Sequence, residues 1–438
     1  MIKINQNYFE KVKGDFEIKP FSVYMTPKQI NESKFYIYKK INNNYYIPRF
    51  YNRNLYHVKE IDDLERTNVK FRGELRDSQV GFVNNVIKLL KKFNGCILSV
   101  PPGFGKTIMS IYVSTKLKLK TLVIVHKTFL LNQWMESLKL FSNHEIGIIQ
   151  GKKIDIEGKT IVIGMLQSLS MKEYEDDIYN YFDFLIVDEV HHIATKSFSN
   201  ALLKFNFHFS LGLSATPNRK DGLTRVYQYF LGNDIVNEKQ NIQIKKCLEE
   251  RKKKVIVHRH KFIPKKNDPL FKSITMFHKK DQYNMSKMIS NISISKERND
   301  FVYKILKENF MKRYVLILSS RVLQLEELYE RFQKEFPKIK SSLFIGKMSM
   351  KDLSQTLKSN VQIIFGTYEF ISEGFDYPKL NTLFLITPRT DIVQICGRIL
   401  RKVHSDPIIF DIWDDIIPFN LQAKKRLMYY KTSNFTIS

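Results

Sequence analysis

Three short segments in the first half of the chain carry side chains suited to phosphate chemistry. In CILSVPPGFGKT (residues 96–107) an apolar run meets a glycine-rich turn and continues into a helical stretch, IMSIYVSTKL. Gly103 and Gly105 let backbone N–H groups close around a β-phosphate, Lys106 neutralises β/γ oxygens, and the Thr107 hydroxyl can hold Mg2+. The strict pattern of such a loop begins with Gly; here that position is Val100, followed by Pro101 and Pro102, with Phe104 between the glycines. A plain glycine turn with a surface lysine would need neither the strand before it nor the helix after it. The second segment is FLIVDEVHH, where a buried strand delivers Asp188 and Glu189 to the carboxyl edge at which ligands sit in open α/β sheets. Adjacent carboxylates there suit Mg2+ ligation and water activation, although a lone DE pair is also a common solvated turn. His191 and His192 follow, but adjacent imidazoles on one turn point apart and no Cys or third His completes a cage, so zinc is not expected. In the third segment, GLSATPNRKDG, Ser214 and Thr216 are small hydroxyls able to bridge the carboxylates to neighbouring segments; taken alone, Ser and Thr before Pro usually only make turns.

The second half holds GTYEFISEGFDYP after an apolar run and then IVQICGRILRK. On an α-helix Gln394, Arg398 and Arg401 fall at i, i+4 and i+7 along one face, with Gly397 allowing close approach. Such a face can offer guanidinium groups to phosphates, or it can be an ordinary basic surface helix.

The elements that must position these groups are legible in the hydrophobic pattern. CILSV, TLVIVH, IGII, TIVIG, FLIVDE and FSLGLSAT are strand-length apolar runs separated by helical stretches such as TFLLNQWMESLKLF, as a buried parallel sheet requires. A second series, YVLILSS, SSLFIG, VQIIFGT, TLFLIT and PIIFDI, begins after residue 296. The expected architecture is therefore α/β with two sheets in tandem. Residues 1–70 form a small Tyr- and Asn-rich α+β appendage, 71–235 the first α/β domain, 236–295 a basic connector, and 296–438 the second α/β domain closed by its last residues. Within the connector, residues 241–266 hold ten Lys/Arg against two acidic residues.

Composition narrows the function classes. With 43% hydrophobic and 13% aromatic residues a disordered chain is excluded, and 71 basic against 44 acidic residues leave a net charge of +27 that a small neutral substrate alone would not explain. A field of that sign favours nucleic acid first and acidic membrane surfaces second. Three cysteines are too few and scattered for a disulfide framework, and neither an apolar leader nor a bilayer-length apolar run occurs, which points to a reducing, cytoplasmic setting without membrane insertion.

Taken in order, LRDSQ (75–79), VPPGFGKT (100–107), DEVHH (188–192), LSATP (213–217), SEGFD (372–376) and QICGRILR (394–401) resemble the motifs of the superfamily 2 DExH helicases and translocases over some 330 residues. IVHKTFLLNQW, GIIQGKK, VIGMLQSLSMK and ATPNRKDGL are similar to the branch of XPB-type, phage UvsW-type and poxvirus transcript-release helicases, and homologues of large cytoplasmic DNA viruses look especially similar. The resemblance implies two RecA-like domains, ATP and Mg2+ as cofactors, and movement along DNA or RNA, with DNA favoured, in viral-type transcription termination, replication or repair. It implies that Gln79 reads the adenine edge with Arg76 nearby, that the loop from Val100 to Thr107 holds the phosphates, that Asp188 takes Mg2+ through water, and that Glu189 is the base. His191, Ser214, Thr216 and Gln394 would couple hydrolysis to motion. Gly374 and Asp376 would sense the nucleotide sugar, Arg398 and Arg401 would complete the γ-phosphate site across the cleft, and His126, Lys127, Gln167, Ser168, Gly366 and Thr367 would hold the nucleic-acid backbone. XPB and UvsW relatives carry larger N-terminal domains that guide duplex DNA, whereas here only residues 1–74 precede LRDSQ.

A monomer is favoured, and transcription or replication machinery stays open as a partner. The alternative from a different class is a basic nucleic-acid scaffold that kept the fold and lost hydrolysis, but such a scaffold is free to lose Lys106, Glu189 or Arg398, and all three are present. A small-molecule phosphate-loop kinase would explain neither the second sheet nor the charge.

Overall fold

The computed structural model describes residues 1–20, 27–55, 60–101, 103–190, 195–215, 222–237, 249–250, 252, 254–276, 279–346, 355–356, 359–372, 375, 377–400 and 404–438. The apolar runs of the first half become strands Gly95–Ser99, Thr121–Val125, Ile161–Met165, Phe184–Val187 and Phe209–Ser214, and every residue in them is buried. They have no polar face because parallel neighbours are covered by helices on both sides. The sheet runs Ile235–Asn237, Gly95–Ser99, Phe209–Ser214, Phe184–Val187, Thr121–Val125, Ile161–Met165, Ile146–Gln150, Lys153–Asp155. Its pairs are parallel except the last, an antiparallel hairpin at the edge, where burial alternates along Ile146–Gln150 and polar residues are tolerated. The helix Thr128–Phe141 buries Leu130, Leu131, Trp134 and Leu138, the one-sided spacing of a helix laid on a sheet.

The small N-terminal α+β region belongs to the first compact unit, Met1–Ile242. Small sheets (Ile2–Ile4, Lys39–Ile41 and Asn44–Ile47; Glu17–Ile18 and Phe35–Tyr36) enclose an aromatic cluster in which the Phe9 and Tyr45 rings stack at 3.8 Å. This cluster is continuous with the core under the large sheet. Arg49, 3% exposed, donates to the carbonyls of Phe207 and His208 and to Ser210 Oγ at 2.8 Å, and Phe50 N–H bonds Tyr229 O at 3.0 Å. Gly95 is required by this closure, because a Cβ there would lie 2.3 Å from the Phe50 ring and 2.4 Å from Leu231 O.

The second unit, Gln243–Ser438, is built on a seven-stranded parallel sheet in the order Ser341–Phe344, Ile363–Thr367, Val315–Ser319, Thr382–Leu385, Ile408–Asp414, Ile256–Phe262, Thr436–Ile437. The strand Ile256–Phe262 corrects the reading of residues 236–295 as a connector. Charge disguised it: Arg259 lies 3.4 Å from Asp411 and Lys261 2.6 Å from Asp415, so basic side chains within the strand find acidic partners. Beyond it, Phe262, Phe271, Met288, Ile292 and Phe419 form a small core of their own. Ile408–Asp414 likewise does more than close the domain. Asp411 and Asp414, three residues apart and so on opposite faces, are fully buried. Arg298 grips Asp414 bidentately at 2.6 and 2.9 Å, and Arg426 reaches Asp411 Oδ1 with two nitrogens at 2.9 and 2.8 Å while Arg259 faces Oδ2, the pairing that makes a buried carboxylate tolerable. Among the described residues no helix is long and apolar enough to cross a membrane.

One buried histidine ties the helix Lys106–Leu117 to the sheet. His144 Nε2 lies 3.1 Å from Ser114 Oγ and Nδ1 lies 2.9 Å from Thr160 Oγ1. Ser114 already donates to Ile111 O at 2.8 Å, so it accepts from Nε2–H, and in the neutral ring that burial favours Nδ1 accepts from Thr160. Burial depresses its pKa from 6.5 to about 4. A depressed value means stability that is complete above the unfolded pKa and is lost as pH falls toward the folded one. The expected outcome is a stability difference between wild type and His144→Gln that shrinks by about 2 kcal/mol from pH 7 to pH 5 in urea denaturation, with a pH-independent difference refuting the assignment.

Candidate functional site

The glycine loop leaves the strand Gly95–Ser99 at its carboxyl end and is anchored there by Val100 N–H on Ser214 O at 3.2 Å. Gly103 (φ +77°) and Gly105 (φ +91°) reverse the chain in the left-handed region, and the helix Lys106–Leu117 begins directly after. The N–H groups of its first turn have no intrahelical acceptors, the usual arrangement for receiving an anion. Pro102 lies outside the described residues; Pro101 accepts from Phe104 N–H at 3.3 Å, and Phe104 is buried with its ring edge-on to Phe82 at 5.4 Å.

Lys106 sits at the centre of the charges. Its ammonium is 3.5 Å from Glu189 Oε1, and the two side chains are only 10% and 23% exposed. Asp188 follows the strand Phe184–Val187, whose ladder its N–H extends through Ile124 O at 3.0 Å, and its Oδ2 accepts from the indole N–H of Trp134 at 2.8 Å. Burial first and the neighbouring Glu189 second push the Asp188 carboxyl well above the usual carboxylate range, while the Trp134 bond and Lys106 act in the opposite sense. Glu189 itself has φ +51°, a left-handed conformation uncommon for a side chain of that size and of the kind that clusters at functional sites. Thr107, in the first helical turn beside Lys106, adds a hydroxyl. The Asp188 carboxylate and the Thr107 hydroxyl would offer only oxygen donors, the chemistry that suits a hard cation such as Mg2+.

Gln79 joins this loop to the helix Asp77–Phe93. Its Oε1 accepts from Arg76 N–H at 3.0 Å and its Nε2 donates to Phe104 O at 2.9 Å, and it is 3% exposed. One N–H and one lone pair of the amide are left over for a base. Gly105 is needed here too, since a Cβ would come within 2.4 Å of Gln79 Nε2. The Arg76 side chain is exposed.

The segments expected to hold a polymer backbone in the first unit converge on the same edge. Gln167 Nε2 donates to His126 O at 3.0 Å; Gly151 N–H donates to Ser168 Oγ at 2.8 Å; Lys172 donates to Gly151 O; and Lys127 caps the helix Thr128–Phe141. In the second unit Gly366 and Thr367 end the strand Ile363–Thr367, with Thr367 Oγ1 accepting from Phe370 N–H at 3.4 Å. His191, Thr216, Gly374, Asp376 and Arg401 lie outside the described residues.

The single helical face expected for Gln394, Arg398 and Arg401 is corrected. The α-helix runs only Val393–Cys396, and Gly397–Leu400 winds as a tighter 3-10 turn, so Gln394 and Arg398 do not share an α-helical stripe. The reason lies in the interior: Arg398 is 4% exposed and its guanidinium donates to Phe375 O. The sequence reading gave no role to Trp134 or Lys172, which lie in the quoted segments IVHKTFLLNQW and VIGMLQSLSMK; for Trp134 the signal was that a buried indole N–H must find an acceptor.

Residues 72–219 match the family described as "Type III restriction enzyme, res subunit". A protein of Acanthamoeba polyphaga mimivirus named as an ATP-dependent RNA helicase is 32% identical over 99% of this chain and 83% of its own length. A protein of Invertebrate iridescent virus 6 named as a helicase is 30% identical over 83% of this chain and 82% of its own. The DNA 3'-5' translocase XPB2 of Sulfurisphaera tokodaii is 24% identical over 80% of this chain and 84% of its own. At 32% identity over nearly its whole length to one viral helicase, the chain belongs to the superfamily 2 family of ATP-dependent helicases.

Proposed function

We propose that the protein is a nucleic-acid-stimulated ATPase that uses hydrolysis to move along DNA, in transcription, replication or repair. The observation that carries this reading is the Lys106, Asp188 and Glu189 cluster directly behind a glycine loop, on the sheet edge where His126, Lys127, Gln167 and Ser168 also gather. RNA is the second reading, supported by the printed name of the mimivirus relative, while that of the archaeal relative supports DNA. Phosphate-directed contacts do not discriminate between the two. ATPase rates measured with single-stranded DNA, duplex DNA and RNA as separate activators decide the point.

When nucleotide arrives, the phosphate oxygens compete with Glu189 for the Lys106 ammonium. Release from that ion pair leaves Glu189 able to orient a water and accept its proton as the water oxygen bonds the γ-phosphorus and the β,γ-bridging oxygen departs with ADP. Bound Mg2+, held by Thr107 and through water by Asp188, would supply the positive charge that draws the phosphate oxygens together. Gln79 ties the adenine side of the site to the loop. Arg398 is assigned to the γ-phosphoryl group on the strength of the sequence resemblance.

Lys106→Ala is expected to abolish hydrolysis, and wild-type turnover in that variant would disprove the loop assignment. Glu189→Gln keeps size and hydrogen bonding and removes the base, so nucleotide still binds while turnover drops by about 10² to 10⁴. Arg398→Ala is expected to lower turnover about 10³-fold while nucleotide-free nucleic-acid binding persists, and undiminished turnover rules out its role. For single strands held by roughly four to six phosphate contacts, log affinity plotted against log salt should fall with a slope of about −3 to −4 and little sequence preference. A flat salt response with strong sequence selectivity would mark a base-reading module instead.

A further inference from the structure

Trp134 sits in the middle of the helix Thr128–Phe141 and is completely buried, yet it does not behave as its apolar neighbours do. Leu130, Leu131 and Leu138 on the same helix present only hydrocarbon to the interior. Trp134 presents its single polar atom to Asp188 Oδ2 at 2.8 Å, and Asp188 is itself 6% exposed. An indole N–H donates and never accepts, so the bond is fixed in direction.

We propose that Trp134 is a positioning residue for the divalent cation of the nucleotide site, acting through Asp188. This rests on the function proposed above. A carboxylate beside a second carboxylate and an ammonium has several ways to turn: toward Lys106, away from Glu189, or into a protonated form. The indole on Oδ2, together with the backbone hydrogen bond from Glu189, restricts that freedom and would hold the carboxylate in one orientation for the cation. The donor is held rigidly. The loop entering its helix is fixed where Gln167 donates to His126 O at 3.0 Å, and the helix end is fixed by Ser142 N–H on Leu138 O at 3.0 Å. Partners that orient a metal-binding carboxylate in this way are typically worth ten-fold or more in metal affinity. The residue acts on the cation without touching it, so its loss should appear in magnesium dependence before anything else.

The test measures binding of a fluorescent ADP analogue to the full chain as Mg2+ is titrated, with no turnover involved. In Trp134→Phe, which keeps an aromatic ring and removes the donor, the Mg2+ concentration giving half of the magnesium-dependent gain in affinity is expected to rise about ten-fold, with affinity in EDTA within about two-fold of wild type. Leu131→Ala controls for packing: it loosens the same helix without touching the carboxylate, and its magnesium midpoint is expected to stay at the wild-type value. An unchanged midpoint in Trp134→Phe, or an equal shift in Leu131→Ala, overturns the proposal. Should Trp134→Phe fail to fold, the chain offers a second readout, because it has only two tryptophans. In a Trp413→Phe background the emission of Trp134 should change when Mg2+ is added to the ADP-bound protein, and an emission indifferent to Mg2+ overturns the proposal equally. A wild type whose ADP affinity gains nothing from magnesium would instead refute the proposed function.

Discussion

Parallel, in-register pairing is the constraint on which the first unit depends. Ser99 pairs with Ser214, Ile124 with Val187, and Val125 with Met165, so the strands end nearly level and the segments that follow them are released along one edge. That is why the glycine loop, the two carboxylates, the Ser214 strand end and the His126 and Gln167 segments meet although they are spread over more than a hundred residues of chain. A slip of one residue in any pair would displace its strand end by about 3.3 Å and turn its side chains to the other face. Either change is enough to separate Lys106 from Glu189. The opposite, amino ends of the strands are held from outside the sheet, by Arg49 at Ser210 and Phe50 at Gly95, while His144 joins the far end of the loop helix to Thr160.

The two units handle buried charge in opposite ways. In the second, Asp411 and Asp414 are each gripped by an arginine through two nitrogens, and both ends of the Arg298–Asp414 pair are fully buried. Such pairs add little net stability but are costly to break, so they act as a rigid frame around the strand Ile408–Asp414. In the first unit the charges are packed with less regular geometry. Glu189 lies 3.5 Å from the Lys106 ammonium and sits in a left-handed backbone conformation, and burial works against the ionised form of the neighbouring Asp188. That arrangement persists because the surroundings over-determine it. The contrast separates a frame from a site without appeal to motifs.

Hydrophobic patterning is a local property, and where local properties decide the outcome the sequence was readable. The helix predicted from TFLLNQWMESLKLF forms over Thr128–Phe141, and the strand runs of both halves form where their apolar residues lie. Charge content misled where it was compensated from a distance. The strand Ile256–Phe262 looked like a solvated connector because its partners Asp411 and Asp415 lie some 150 residues away in sequence. Periodicity misled at residues 393–400, where Arg398 turns inward to Phe375 O and the helix tightens around it.

What the sequence determined by itself is therefore the set of parts: two α/β units, a glycine loop between a strand and a helix, a carboxylate pair at a strand end, and a strongly basic surface. These follow from residue type and spacing over a few turns of chain. Tertiary structure alone decided which buried polar atoms face one another. Trp134 on Asp188, Gln79 on Phe104, Gln167 on His126 and Arg49 on Ser210 each join segments 25 to 161 residues apart. Such pairings leave no periodic trace, because a hydrogen bond between distant segments depends on where two backbones have been carried by the rest of the fold and not on the residues beside either partner.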